Sequence, residues 1–176
     1  VISEVELDSF GNNALLEEAT KKYPNAALSF RVMSPSGLNR SEMPHFFSNT
    51  RVLEDKEIII HSRHVTLHGY MAELERTFFI GSPTPQQEEV FNIMVEAQEA
   101  AMKVLGPGVK AKEVDKAARE IIQKAGYGEY FIHRTGHGLG LSVHEGPYLR
   151  FDSDLELREG MVVSIEPGIY IPNVGG

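Results

Sequence analysis

An α+β fold, an antiparallel sheet with helices packed on one side, is what the sequence predicts, and three observations carry the prediction. Apolar residues recur at helical spacing through 86–105 and 111–125. Two neighbouring stretches, 57–62 and 69–80, read as a hairpin-like pair of strands, and 27–33 is a further short apolar run bounded by turn residues. Neither a tandem repeat nor a low-complexity segment interrupts them.

The elements can be justified in order. Ser3-Glu4-Val5-Glu6 has the form of a capping box, and Leu7, Phe10, Ala14 and Ala19 follow at helical spacing, so 3–22 is expected to be an amphipathic helix. Tyr23-Pro24-Asn25 stops it, and the strand at 27–33 leads into a loop over 34–39. In the strand 69–80 the period of two puts Glu73 and Glu75 on one face. Two carboxylates side by side repel unless water, a cation or a cationic substrate lies between them; a solvated edge is the plainer alternative. Val90, Met94, Ala97, Ala101 and Val104 form the stripe of the next helix, and Val114, Ala118, Ile121 and Ala125 that of the one after, ending at Gly126. Beyond it, 130–133 reads as extended, 143–144 as extended, 147–159 as a loop, and 161–166 as a buried strand that ends in the carboxylate of Glu166.

Composition narrows the chemistry. A chain of 176 residues with 41% hydrophobic content can bury the core of one domain, so 1–176 is expected to be a single domain. The formal charge of −8 and the lack of a basic cluster argue against a nucleic-acid partner. No apolar run approaches the roughly 20 residues that span a bilayer, and no signal-peptide layout is present, so a cytoplasmic protein without a membrane partner is expected. With no cysteine, any metal must rest on His, Asp and Glu.

The densest chemistry lies in 134–145, where His137 and His144 stand among closely spaced glycines, and in Ser164-Ile165-Glu166-Pro167-Gly168. Such a composition suits a polar pocket better than a core. His45, just after Pro44, is either a surface residue or one aimed into a cleft.

Taken together, His45, Arg76-Thr77-Phe78, Gly136-His137-Gly138-Leu139-Gly140, Val143-His144-Glu145 and Ile165-Glu166-Pro167-Gly168 resemble the pita-bread fold family. That family holds methionine and Xaa-Pro aminopeptidases, prolidase and creatinase. The resemblance covers nearly the whole chain. It implies one pita-bread catalytic-type domain over 1–176, from a longer protein, without the family's N-terminal domain and last strands. It also implies a homodimer for the full-length protein.

In the family's peptidases two divalent metal ions are held by aspartates, a histidine and glutamates, and a bridging hydroxide attacks the peptide carbonyl. By this resemblance His137 and Glu166 match metal ligands, while His45 and His144 match the catalytic histidines that bind substrate and stabilise the tetrahedral intermediate. Glu73 falls at the second aspartate position and Ser62 at the first, where a hydroxyl is a poor ligand. A one-residue slip would offer His61 instead, but on the opposite face of the strand. The last ligand glutamate would follow Gly175-Gly176. The expected cofactor is therefore at most a reduced divalent site of Mn, Co or Zn, or none.

Glu73-Leu74-Glu75-Arg76-Thr77 is closer to creatinase, which uses no metal and whose matching glutamate helps hold a guanidinium group. Glu73 and Glu75 are then substrate-binding residues. The expected function is a hydrolase of peptide or amide bonds resembling Xaa-Pro aminopeptidase or Xaa-Pro dipeptidase, acting on a small peptide with an altered metal site. A metal-free amidinohydrolase acting on a small amide or amidine, and a non-catalytic binding module with a degenerate site, stand as alternatives.

Overall fold

The computed structural model describes residues 2–176. Its elements run α1 (Glu4–Lys22), β1 (Leu28–Met33), β2 (Ile58–Leu67), β3 (Tyr70–Phe79), α2 (Pro85–Val104), α3 (Ala111–Lys124), a 3-10 turn (Gly128–Tyr130), β4 (Gly136–Gly138) and β5 (Glu145–Leu149). They fall into two units: the chain up to Thr84 together with Pro172–Gly176, and Pro85–Ile171.

In the first unit β1, β2 and β3 form an antiparallel sheet with β2 in the centre. β2 is longer than the sequence predicts. Arg63-His64 breaks the apolar run after Ser62, yet the strand continues to Leu67 because its polar side chains find partners on both faces. Leu67 pairs with Tyr70, which leaves His68-Gly69 as a two-residue turn, both at positive φ. That is the backbone a type I′ hairpin turn requires.

The capping box of α1 is present: the Glu6 N–H donates to Ser3 Oγ at 3.4 Å and the Ser3 N–H donates to Glu6 Oε2 at 2.7 Å. The expected apolar anchor is not. Phe10 is 64% exposed, and the buried residues of the helix are Glu4 and Asp8. α1 is held by polar contacts instead. Glu4 accepts from Ser36 N (2.8 Å), Ser36 Oγ (2.7 Å), Arg40 Nη2 (2.6 Å) and Asn49 N (2.9 Å). Burial alone would raise the Glu4 carboxyl, but the Arg40 guanidinium and these donors outweigh it and hold it below its ordinary value.

In the second unit α2 and α3 pack together, and Ala97, Ala101, Val114, Ala118 and Ile122 are fully buried. Small side chains at the contact let helix backbones approach closely, as ridge-into-groove packing allows. The buried isoleucine is Ile122 where the stripe predicted Ile121, and Ala125 is exposed beyond the last turn.

Three further expectations in this unit are corrected. The 3-10 turn Gly128–Tyr130 replaces the start of the extended run expected at 130–133. β5 runs through Pro147 to Leu149, where a loop was expected. Residues 161–166 are not a buried strand: Met161 and Val162 are exposed, and a single bridge joins Val163 to Gly138. The segment is nonetheless tied to β4 by the backbone bonds Ser164 N to His137 O (2.8 Å) and Glu166 N to Thr135 O (2.7 Å), and β4 itself shifts register against β5 between His137 and Gly138.

Candidate active site

Each unit presents its own set of site residues. On β2 and β3 the register pairs Ser62 with Glu75 and His64 with Glu73. Cross-strand partners and residues two apart share a face, so all four side chains stand together. The predicted alignment of Glu73 with Glu75 is therefore present. His64 Nε2 lies 2.9 Å from Glu73 Oε1, with side-chain exposures of 2% and 3%, and 3.1 Å from Ser62 Oγ. Glu75 is half-buried.

His64 is the residue the sequence reading missed. The signal was available: period-two alternation, continued past Ser62, puts position 64 on the face of 62.

The other face of β2 is a structural tie. His61 points there, as the strand register predicts, and belongs to a chain of hydrogen bonds: Arg63 Nε donates to His61 Nε2 (2.6 Å), His61 Nδ1 meets Ser34 Oγ (2.8 Å), and Ser34 Oγ donates to Asp8 Oδ1 (2.5 Å). Burial, and then the charge of Arg63, push the His61 imidazole below its ordinary value. A neutral His61 accepts from Arg63 and donates to Ser34, so the chain is satisfied and fixes the hairpin from behind.

His45 is exposed in the turn that follows Pro44, with φ of 61°.

In the second unit the structure brings His137, His144 and Glu166 together. His137 is fully buried, its Nε2 lies 3.0 Å from Glu166 Oε1, and its ring meets that of His144 edge to face with centroids 4.3 Å apart. Glycine makes this possible. A Cβ at Gly136 would stand 2.0 Å from the Ser164 carbonyl oxygen, and one at Gly138 2.3 Å from that of Gly146. The glycine pattern is thus explained by backbone crossing at close range on either side of His137.

Further support comes from α3. Buried Asp115 accepts from the Thr135 N–H (3.0 Å) and Thr135 Oγ1 (2.9 Å) and is paired with Arg119, whose Nε lies 2.9 Å from Asp115 Oδ2. Since the Thr135 carbonyl receives the Glu166 N–H, Asp115 helps set both Glu166 and the start of the histidine strand. Next to it, burial pushes His133 below its ordinary value, and its Nε2 lies 3.0 Å from the Tyr170 hydroxyl.

The donor chemistry bears on a metal. His137 Nδ1 is 3.1 Å from the Gly138 carbonyl oxygen, which can only accept, so Nδ1 donates there and Nε2, 3.0 Å from Glu166 Oε1, is the ring nitrogen left to face the carboxylate. An imidazole nitrogen beside a carboxylate, with the ring held by a backbone carbonyl behind it, is a donor pair a divalent cation accepts. His137 and Glu166 fit a metal on this ground. Ser62 does not.

The comparisons with known proteins agree over most of the chain. The profile of metallopeptidase family M24 matches residues 2–176. The Xaa-Pro dipeptidase of Pyrococcus furiosus is 42% identical over 148 residues, 84% of this chain and 42% of its own length. That of Lactobacillus helveticus is 43% identical over 148 residues, again 84% of this chain, and 40% of its own. The solved Xaa-Pro dipeptidase from Bacillus anthracis superposes with a TM-score of 0.87 at 38% identity, covering 99% of this chain and 47% of that one. The chain spans less than half the length of these relatives.

Proposed function

We propose, from the premise that the chain belongs to metallopeptidase family M24, that the protein hydrolyses peptide bonds as an Xaa-Pro dipeptidase or aminopeptidase does. The fold is the pita-bread fold of the solved dipeptidases, with antiparallel sheets and helices. One observation carries the proposal: His137, its Nε2 3.0 Å from the Glu166 carboxylate and its ring against His144, sits on a backbone that only glycine permits.

His137 and Glu166 would hold a divalent metal of the Mn, Co or Zn kind, and the family resemblance gives Glu73 a matching ligand position. Bound there, the metal supplies Lewis-acid polarisation of a carbonyl and a water acidified enough to act near neutral pH. The chain's own groups do the rest. His144, half-buried and in contact with the ligand imidazole, is placed to donate a hydrogen bond to developing negative charge on a carbonyl oxygen. His45, exposed on its turn, is the second proton-handling group, and histidine suits that role because its pKa lies near working pH. Glu75, half-buried beside Glu73, receives the cationic end of a small peptide.

Homodimerisation and a cytoplasmic location belong to the same proposal and rest on the family resemblance. No helix among the described residues is long and apolar enough to cross a membrane.

The substrate class is tested by offering the full-length protein Xaa-Pro dipeptides and creatine-like amidines side by side. Cleavage of the dipeptides with the amidines untouched is expected. Turnover of the amidine alone, undisturbed by chelation, would establish the creatinase-type alternative that Glu75 motivates. Neither turnover nor metal would favour the binding module.

A further inference from the structure

We propose that His64, Glu73 and Glu75 form a divalent transition-metal site, with the His64 imidazole supplying the donor that Ser62 is too short to give. This gives Glu75 a metal ion in place of the cationic end of a peptide proposed above, and rests on the proposed function only for the use of a metal. Three observations within one hairpin carry it.

The first is reach. One donor atom from each of His64, Glu73 and Glu75 lies within 4.8 Å of the others. Metal–ligand bonds of about 2.1 Å bring donors on opposite sides of an ion about 4.2 Å apart, so a small side-chain adjustment closes the set. His64 Nε2, only 3.1 Å from Ser62 Oγ, stands close to where a longer side chain at 62 would put its terminal atom.

The second is burial. The His64 side chain is 2% exposed, and its resolved polar contacts run to Ser62 and Glu73 on this face, with no hydrogen bond made by Nδ1 among the described residues. Burial keeps bulk water from His64 and Glu73, so an ion bound between them would meet little competition from solvent.

The third is support. Cross-strand pairing fixes His64 opposite Glu73 and Ser62 opposite Glu75, while the Arg63, His61, Ser34 and Asp8 chain fixes the same strand from behind. Imidazole with two carboxylates is a donor set for Zn, Mn, Fe or Co.

Cobalt is the probe. The full-length protein is stripped by chelator and titrated with Co(II), following the visible ligand-field bands and the bound cobalt. His64→Gln and the isosteric Glu75→Gln are measured in parallel, with circular dichroism reporting folding. Each variant is expected to bind cobalt at least about tenfold more weakly and with an altered spectrum. A Ser62→Asp/His64→Gln double variant is expected to regain binding, because the carboxylate then supplies the missing donor directly. Folded variants with wild-type cobalt affinity and spectrum would overturn the site, as would a folded wild-type protein that takes up no cobalt. The two proposals fail separately. His64-dependent cobalt binding without dipeptide cleavage would sink the peptidase reading alone; dipeptide cleavage with cobalt binding indifferent to His64 would sink this one alone.

Discussion

Asp115 shows how much of the candidate site depends on a residue that touches no reacting group. Its carboxylate holds Arg119 and both donors of Thr135 in a fully buried setting. Asp115→Ala leaves the Thr135 hydroxyl and part of the guanidinium without their acceptor, while the Thr135 N–H keeps the Leu149 carbonyl, and is expected to cost about 3 kcal/mol in urea unfolding. A loss under about 0.5 kcal/mol, the range of an ordinary surface substitution, would show that water replaces the carboxylate. Gly136→Ala is a second residue-scale test. The added Cβ would meet the Ser164 carbonyl oxygen at 2.0 Å, so the segment that carries Glu166 must move. Destabilisation of about 1–3 kcal/mol is expected, together with a loss of divalent-metal affinity measured by calorimetry. Unchanged affinity would mean that Glu166 does not depend on this backbone crossing. His137, His144 and Glu166 were legible as site residues from their spacing among glycines, whereas Asp115 was hidden because it interrupts an apolar stripe by a single position and looks like a solvated helix charge.

At the level of elements, α2 and α3 were readable because their buried residues recur at helical spacing, and the small alanines confirm the contact face. α1 misled for a physical reason: its stripe is weak, and what fixes it is a carboxylate bonded by Arg40, Ser36 and Asn49, partners distant in sequence. β2 misled in the same way, since Arg63 and His64 are polar residues whose partners lie on other segments or across the hairpin. His64 escaped notice as a direct result. The Glu4 network gives α1 a pH dependence. The folded carboxyl titrates below its ordinary value, so its contribution is fully present above that value, about 4.3, and is lost as pH falls through the lower folded one. Thermal melts of wild type and Glu4→Gln should therefore differ most near neutral pH, with the difference shrinking in acid. A difference that stayed constant with pH would show that the Glu4 charge is not what anchors the helix.

On the scale of the whole molecule, family and fold were legible from the order and spacing of the histidine and glutamate motifs, which the match over residues 2–176 bears out. The hairpin face was not, because Ser62, His64, Glu73 and Glu75 come together only through the cross-strand register of β2 and β3, which pairs Ser62 with Glu75 and His64 with Glu73. The proposed chemistry is metal-dependent peptide hydrolysis on the M24 frame. Its most direct test is the initial rate of Xaa-Pro dipeptide cleavage by the full-length protein as purified, after exhaustive chelation, and after return of Mn, Co or Zn. Cleavage that chelation abolishes and one of these ions restores is expected. A folded, metal-replete protein that cleaves no Xaa-Pro dipeptide, or one whose rate is indifferent to chelation, would contradict it.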